Sequence, residues 1–377
     1  MDRHTNAKRP KGQLLFRALV LLGIVLLLTA AVLLVLRSFA PTGKRSHLEL
    51  GRRYLSEQQY RQAQMQFTRA ITVDDRNVEA YLGHGVASAA LGDEEALQQD
   101  YEALMARFPE QAAVFEAWRD ALDTGVLLGY TYTSTALADN EVSYSYNLYG
   151  QCLTKTADYP DDEQDTTTWY SYNDAGQMTR ATVCRGLGGR EELHHIDYTY
   201  DAAGRIGQAV CTRADGTVTY TSTYSYNENG LLTRMESTGA GAFVRTYQFD
   251  AAGNCVEETY DGQVFDSETQ TYVPVTTVEQ YTYAAGATRC GFRLDQFGAI
   301  QDPLYLLTEE GVYGVAGTFL RTCDAAGNCL TRNTDDSQET RVYTEFGQLL
   351  HRQITTGASQ EIFEYRYGSL DQALADE

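Results

Sequence analysis

The chain has 377 residues, 43% of them hydrophobic, with 6 Pro, 27 Tyr, 7 Cys and a formal charge of −21. That length suits two or three domains, the apolar fraction excludes a wholly disordered chain, and the acidic balance excludes a nucleic-acid partner, because phosphates are repelled. The charge is divided: residues 1–53 hold 10 basic residues against only Asp2 and Glu49, a local +8 that leaves −29 for the remainder.

After a basic tail at 1–13, residues 14–37 predict a transmembrane helix. Ala18 to Leu36 holds nineteen residues without a charge. At ~1.5 Å per residue this approaches the ~30 Å hydrocarbon core of a bilayer. A cleavable signal peptide is the rival reading, but its apolar stretch usually runs only about 7–15 residues. Ser38-Phe39-Ala40 offers small residues for cleavage, yet Pro41 follows directly, so an uncleaved signal anchor is expected. Arg3, Lys8, Arg9 and Lys11 precede the span, and Arg37, Lys44, Arg45, Arg52 and Arg53 follow it, so the positive-inside rule is nearly balanced. Large domains translocate regardless of nearby charge, so the expectation is a single-pass cell-membrane protein with an extracytoplasmic C-terminal body.

Residues 44–122 read as helices, with few Gly or Pro and apolar residues three and four apart. Leu50, Gly51, Tyr54, Tyr60, Ala63, Phe67 and Ala70 resemble a tetratricopeptide repeat, a helix-turn-helix unit of about 34 residues. Gly85, Tyr101 and Pro109 stand 34 positions after Gly51, Phe67 and Asp75. The second copy departs from the pattern at Ser88 and Leu97. A capping helix is expected from Glu110 to Leu122, carrying Val114, Phe115 and Trp118. The resemblance implies a groove for a peptide or protein, with Arg45 and Arg52 as candidate lining. The competing reading is a spacer that binds nothing.

After Asp123 tyrosine dominates, with 23 of the 27 in residues 124–377. They recur in one frame: Tyr144-Ser145-Tyr146-Asn147 with Gly150, Tyr170-Ser171-Tyr172-Asn173 with Gly176, Tyr198-Thr199-Tyr200-Asp201 with Gly204, Tyr224-Ser225-Tyr226-Asn227 with Gly230, and Tyr247-Gln248-Phe249-Asp250 with Gly253. Those glycines lie 26, 28, 26 and 23 residues apart. Weaker copies follow at Tyr281-Thr282-Tyr283, Leu294-Asp295, Cys323-Asp324 and Tyr343-Thr344. Tyr-x-Tyr puts both rings on one face of a strand. The Asp or Asn accepts a bond from backbone two residues on, and Gly supplies the positive φ that closes a bulged hairpin. Asp215-Gly216 and Asp261-Gly262 predict the return turns. The paired rings are expected in the core with their phenol oxygens at the solvent rim, whereas Tyr149, Tyr159 and Tyr305, in expected loops, are candidates for ligand contact.

This pattern resembles the YD-repeat family, also called Rhs repeats, over roughly residues 130–368. The resemblance implies β-hairpins stacked into a curved sheet or solenoid, and contact with carbohydrate or cell-surface proteins. Large members enclose a toxin in a hollow shell; with about nine units here and no cargo domain after Tyr367, encapsulation is not expected. The full reading is a transmembrane helix, a helical array, an all-β repeat domain at 124–368 and an acidic tail at 369–377.

No chemistry of turnover is legible. Cys152, Cys255 and Cys329 share the slot Gly-x-Cys, where other copies carry Met, Ile or Leu, so they are expected as apolar core residues. No C-x-x-C pair, phosphate loop or H-E-x-x-H helix occurs. No metal, cofactor or catalytic residue is therefore expected. The function expected is that of a membrane-anchored bacterial adhesion or binding protein contacting carbohydrate or protein through the repeat domain. The alternative is a membrane scaffold whose helical array recruits a partner.

Overall fold

The computed structural model describes residues 43–374 apart from 240, 252, 254, 267–270, 281–288, 295–299, 307–311, 315–319, 324–328 and 334–336. Two compact units divide the chain, 1–84 and 85–377.

In the first unit, α1 (Gly43–Ser56) and α2 (Tyr60–Val73) lead into α3 (Val78–Leu91), within which the division falls. Ala63, Phe67 and Ala70 share one face of α2 through their three- and four-residue spacing, and all three are buried. The Phe67 ring accounts for Gly51: a Cβ there would lie 2.6 Å from it. In the second unit, α4 (Glu94–Arg107) is capped by Asp93, whose carboxylate accepts from the Ala96 amide at 3.2 Å. The last long helix, α5 (Ala112–Thr124), buries Val114, Phe115 and Trp118.

The expected localisation is corrected. Among the described residues no helix is long and apolar enough to cross a membrane, so a single-pass anchor is not supported. The span expected at 14–37 lies outside the described residues.

Strands begin at Val126. In chain order they are β1 (Val126–Ser134), β2 (Asn140–Tyr146), β3 (Cys152–Asp158), β4 (Thr166–Tyr172), β5 (Met178–Arg185), β6 (Glu191–Tyr200), β7 (Ile206–Arg213), β8 (Val218–Tyr226), β9 (Leu232–Gly239), β10 (Phe243–Phe249), β11 (Cys255–Asp266) and β12 (Thr271–Gln280). Each pairs antiparallel with the next. A separate hairpin, β13 (Arg289–Leu294) and β14 (Ile300–Leu306), precedes β15 (Val312–Gly314), β16 (Leu320–Cys323), β17 (Cys329–Asn333), β18 (Ser337–Tyr343), β19 (Leu349–Thr356) and β20 (Ser359–Gly368). One pairing breaks sequence order: β20 lies antiparallel to β1, Val126 opposite Gly368 and Ser134 opposite Glu361. The result is an open sheet of 18 strands, running β15 to β20 and then β1 to β12.

Within a hairpin, register follows the repeat. A shift occurs just before the second aromatic position, at Ser145/Tyr146, Ser171/Tyr172, Thr199/Tyr200 and Ser225/Tyr226. The first tyrosine faces alanine in two hairpins, Tyr170 opposite Ala181 and Tyr198 opposite Ala209, and a long side chain in two others, Tyr144 opposite Lys155 and Tyr224 opposite Met235. The second tyrosine departs from expectation. Its hydroxyl does not sit at the rim but donates to a backbone carbonyl of the preceding repeat: Tyr146 to Leu127 at 2.8 Å, Tyr172 to Cys152 at 2.8 Å, Tyr200 to Met178 at 2.7 Å and Tyr226 to Ile206 at 2.8 Å. In β3, β5 and β7 the accepting residue stands beside its hairpin's register shift.

Two further expectations are revised. Asp261-Gly262 is not a turn; it lies inside β11, opposite Thr276 and Val275. Glycine is required there because a Cβ would lie 2.6 Å from the Tyr260 hydroxyl and 2.7 Å from Phe243. Within the segment expected as an acidic tail, helix α6 (Leu370–Ala373) buries Leu370 and Ala373, and Leu374 bridges to Tyr146. The turns expected after Tyr283, Leu294 and Cys323 fall outside the described residues. Cys152, Cys184, Cys211 and Cys255 are buried in the sheet, and burial pushes Cys152 up to about 12.

The sheet's ionisable groups give stability two flanks in pH. Burial alone would raise the Glu339 carboxyl, but hydrogen bonds and charge from Arg341 (2.8 Å) and Arg352 (2.6 Å) hold it below the usual range. A lowered folded pKa adds stability above the unfolded carboxylate range, about pH 4, that is lost as pH falls. On the alkaline side, burial pushes Tyr130, Tyr220, Tyr226 and Tyr367 each up to about 12. Their stabilisation is complete below about pH 10 and is lost as pH rises through the folded values. Urea midpoints are therefore expected to fall on both sides of neutrality. Glu339→Gln should be less stable than wild type at neutral pH, and the gap should narrow progressively as pH falls below about 4. An unchanged gap at acid pH removes Glu339 from the acid flank, and free-tyrosine phenolate titration removes the alkaline one.

Candidate functional site

Each repeat turn is built by one side chain. Asn147 Oδ1 accepts from the amides of Tyr149 (2.9 Å) and Gln151 (3.0 Å), and Asn173 Oδ1 accepts from those of Ala175 (3.1 Å) and Gln177 (2.9 Å). Gly176 then takes φ +77°, which disfavours any residue with a Cβ. The residue after the glycine joins neighbouring turns. Asn173 Nδ2 donates to Gln177 Oε1 at 2.9 Å, and Gln177 Nε2 donates onward to the Gly204 carbonyl at 3.1 Å. Gln151 reaches the Gly176 carbonyl in the same manner.

Helix α5 lies across this row of turns. A Cβ on Gly150 would meet Ala121 at 3.1 Å, and one on Gly176 would meet Val114 at 2.6 Å. Ala121 and Val114 are seven residues apart, about 10.5 Å of helix rise, and adjacent hairpins repeat at about 9.6 Å, so one helix face matches two turns. Gln348, of the turn after β18, donates to the Thr124 carbonyl at 3.1 Å and holds the other end of the helix.

Where the start of α5 meets the first two turns, a cavity of about 310 Å³ opens. Tyr149, Tyr170, Tyr172, Asn147, Asn173 and Asp174 contribute to its wall, with Gln111 and Val114 closing it from the helical side. None of its lining residues is basic. Burial raises the Tyr172 pKa, which keeps that phenol neutral. Asp174 is exposed and makes no hydrogen bond or ion pair among the described residues.

The sequence-derived candidates separate. Tyr149 lines the cavity. Tyr159 lies beyond the far end of β3, about 20 Å away by strand rise, half-buried, with its amide donating to Asp165 Oδ1 at 2.9 Å. Tyr305 stands in β14 opposite Cys290, and its side chain is outside the described residues. Arg52 forms a 2.7 Å ion pair with Glu79, and Arg45 lies on α1 with its side chain outside the described residues. Sequence reasoning missed Tyr170, Tyr172 and Asp174 at the cavity because it assigned paired tyrosines to the core and turn acids to the turn. The available signal was positional: Asn173 is the residue that caps the turn, which leaves its neighbour Asp174 without that duty.

The RHS Repeat family matches residues 226–264, from the end of β8 into β11. Among solved structures, a porin-like protein from Bacteroides uniformis is 13% identical, with a TM-score of 0.35, over 64% of this chain and 98% of that one. The TcdB2-TccC3 structure without its hypervariable C-terminal region is 11% identical, with a TM-score of 0.24, over 61% of this chain and 16% of that one. No curated protein matches the chain.

The seating of α5 on the turns is open to test. Gly176→Ala and Gly216→Ala both force a Cβ onto a positive φ, +77° and +86°, but only Gly176 has a neighbour within 4 Å. Gly176→Ala is expected to cost about 1–2 kcal/mol more in urea denaturation; equal losses would show that Val114 does not bear on the turn. With its repeated turn, its Tyr-x-Tyr strands and its family match, the chain is a β-rich protein of YD/Rhs-like type.

Proposed function

We propose that this is a surface or secreted β-repeat protein that works by binding, without turnover, and contacts a carbohydrate or a protein through its repeat domain. The observation that carries the reading is the cavity at the first two turns, where Tyr149 joins two further tyrosines and an unengaged carboxylate in one concave wall. Concavity, aromatic area and a few polar groups are what a small recognition site needs. The repeat build favours multivalent contact, since identical turns present similar edges at regular spacing.

The helical segment is proposed to be tetratricopeptide-like, on the close approach of Gly51 to the Phe67 ring. A recruiting groove there is the weaker reading, because Arg52 is already engaged by Glu79.

The test is a binding screen of the full chain and its Tyr149→Ala variant against glycan and protein arrays. At least one class of ligand is expected to bind wild type and to lose roughly tenfold in affinity with the variant, about 1.4 kcal/mol. If every ligand captured binds both proteins equally, the cavity is not the contact site.

A further inference from the structure

We propose that the cavity at the first two turns takes a cation, specifically an alkylammonium group. The inference rests on the cavity being the contact site and names its ligand chemistry. Three of the four side-chain amides in the wall, those of Asn147, Gln151 and Asn173, are occupied by the fold, and Gln111 is the fourth. Asn147 Oδ1 and Asn173 Oδ1 each accept two backbone amides, and their Nδ2 groups donate to Gln151 and Gln177 at 2.9 Å. Tyr172 donates its hydroxyl to the Cys152 carbonyl. These groups hold turns and repeats together, so they are poorly placed to read the hydroxyls of a sugar. What else faces the cavity is tyrosine ring surface, the Gln111 amide and the Asp174 carboxylate.

Three tyrosines and a carboxylate, with no basic residue in the wall, are the elements of a cation site. A ring face attracts a cation by its quadrupole, and the Asp174 carboxylate adds the charge partner that a more strongly hydrated lysine ammonium needs. The wider field agrees: the chain after residue 53 carries −29, which draws cations and repels anions. The volume, about 310 Å³, is at the low end for ligand pockets, which suits a head group or a side chain rather than a large ligand. Two sources share this chemistry: a free alkylamine and the lysine side chain of a partner peptide.

The full chain is titrated by calorimetry with tetramethylammonium, with N-acetyl-lysine amide and with the uncharged N-acetyl-norleucine amide. The cations are expected to bind at least tenfold more tightly than the norleucine compound. Asp174→Asn should weaken them roughly tenfold and Tyr149→Ala should weaken them further, with the thermal transition of both variants unchanged. Binding of the lysine compound assigns a peptide source, and binding of tetramethylammonium alone assigns a free amine. Equal binding of the norleucine compound overturns the proposal, as does the absence of cation binding. In that event, array ligands that still depend on Tyr149 leave the site in place and remove only the cation; array ligands indifferent to Tyr149 remove both.

Discussion

The hydrogen bond from the second tyrosine of each repeat to a backbone carbonyl of the repeat before it is the contact on which the β domain depends. It joins hairpins that would otherwise share only a strand ladder, and four successive copies make it with donor–acceptor distances of 2.7 to 2.8 Å. A hydroxyl buried without a partner is costly, and in each of these copies a carbonyl of the preceding repeat supplies that partner. The aspect of the sequence that looks like redundancy, Tyr-x-Tyr before Asn or Asp, is thus two roles: one ring pairing across its own hairpin, the other fastening the hairpin behind. In the fifth copy Phe249 replaces the second tyrosine, and that bond is lost to chemistry alone.

The same repeat geometry places the cavity. Turns in register form a row, the row spacing matches seven residues of helix, and α5 settles on the first two turns through Ala121 and Val114. The cavity is what remains where the helix begins and the turns continue. Its polar wall is therefore largely committed to structure, and Asp174, Gln111 and the tyrosine rings also line it. A second fixture works at the other side of the sheet's start. Strand β20 pairs with β1, and Arg366 reaches Glu141 on β2 at 2.5 Å, so the first and last repeats support each other across the chain.

Repeat spacing made the hairpins, the capping role of Asn147 and its equivalents, and the burial of Cys152 and Cys255 readable, because each rests on contacts a few residues apart. Other features were read differently. Asp261-Gly262 carries the composition of a turn, yet its glycine answers to Phe243 and Tyr260 on a neighbouring strand. The last residues are acidic, yet Leu370 is buried against the sheet's start. In each case the deciding partner is distant in sequence or on another element.

Local chemistry therefore determined the unit: an alternating strand, a capped turn and a positive-φ glycine are settled within about ten residues, since side-chain direction and backbone torsion are local properties. Tertiary structure alone decided the order of the units and what they enclose. The pairing of β20 with β1 and the seating of α5 on the turns cost loop-closure entropy that no local pattern records, and they form because they bury edges and rings that the repeat leaves exposed.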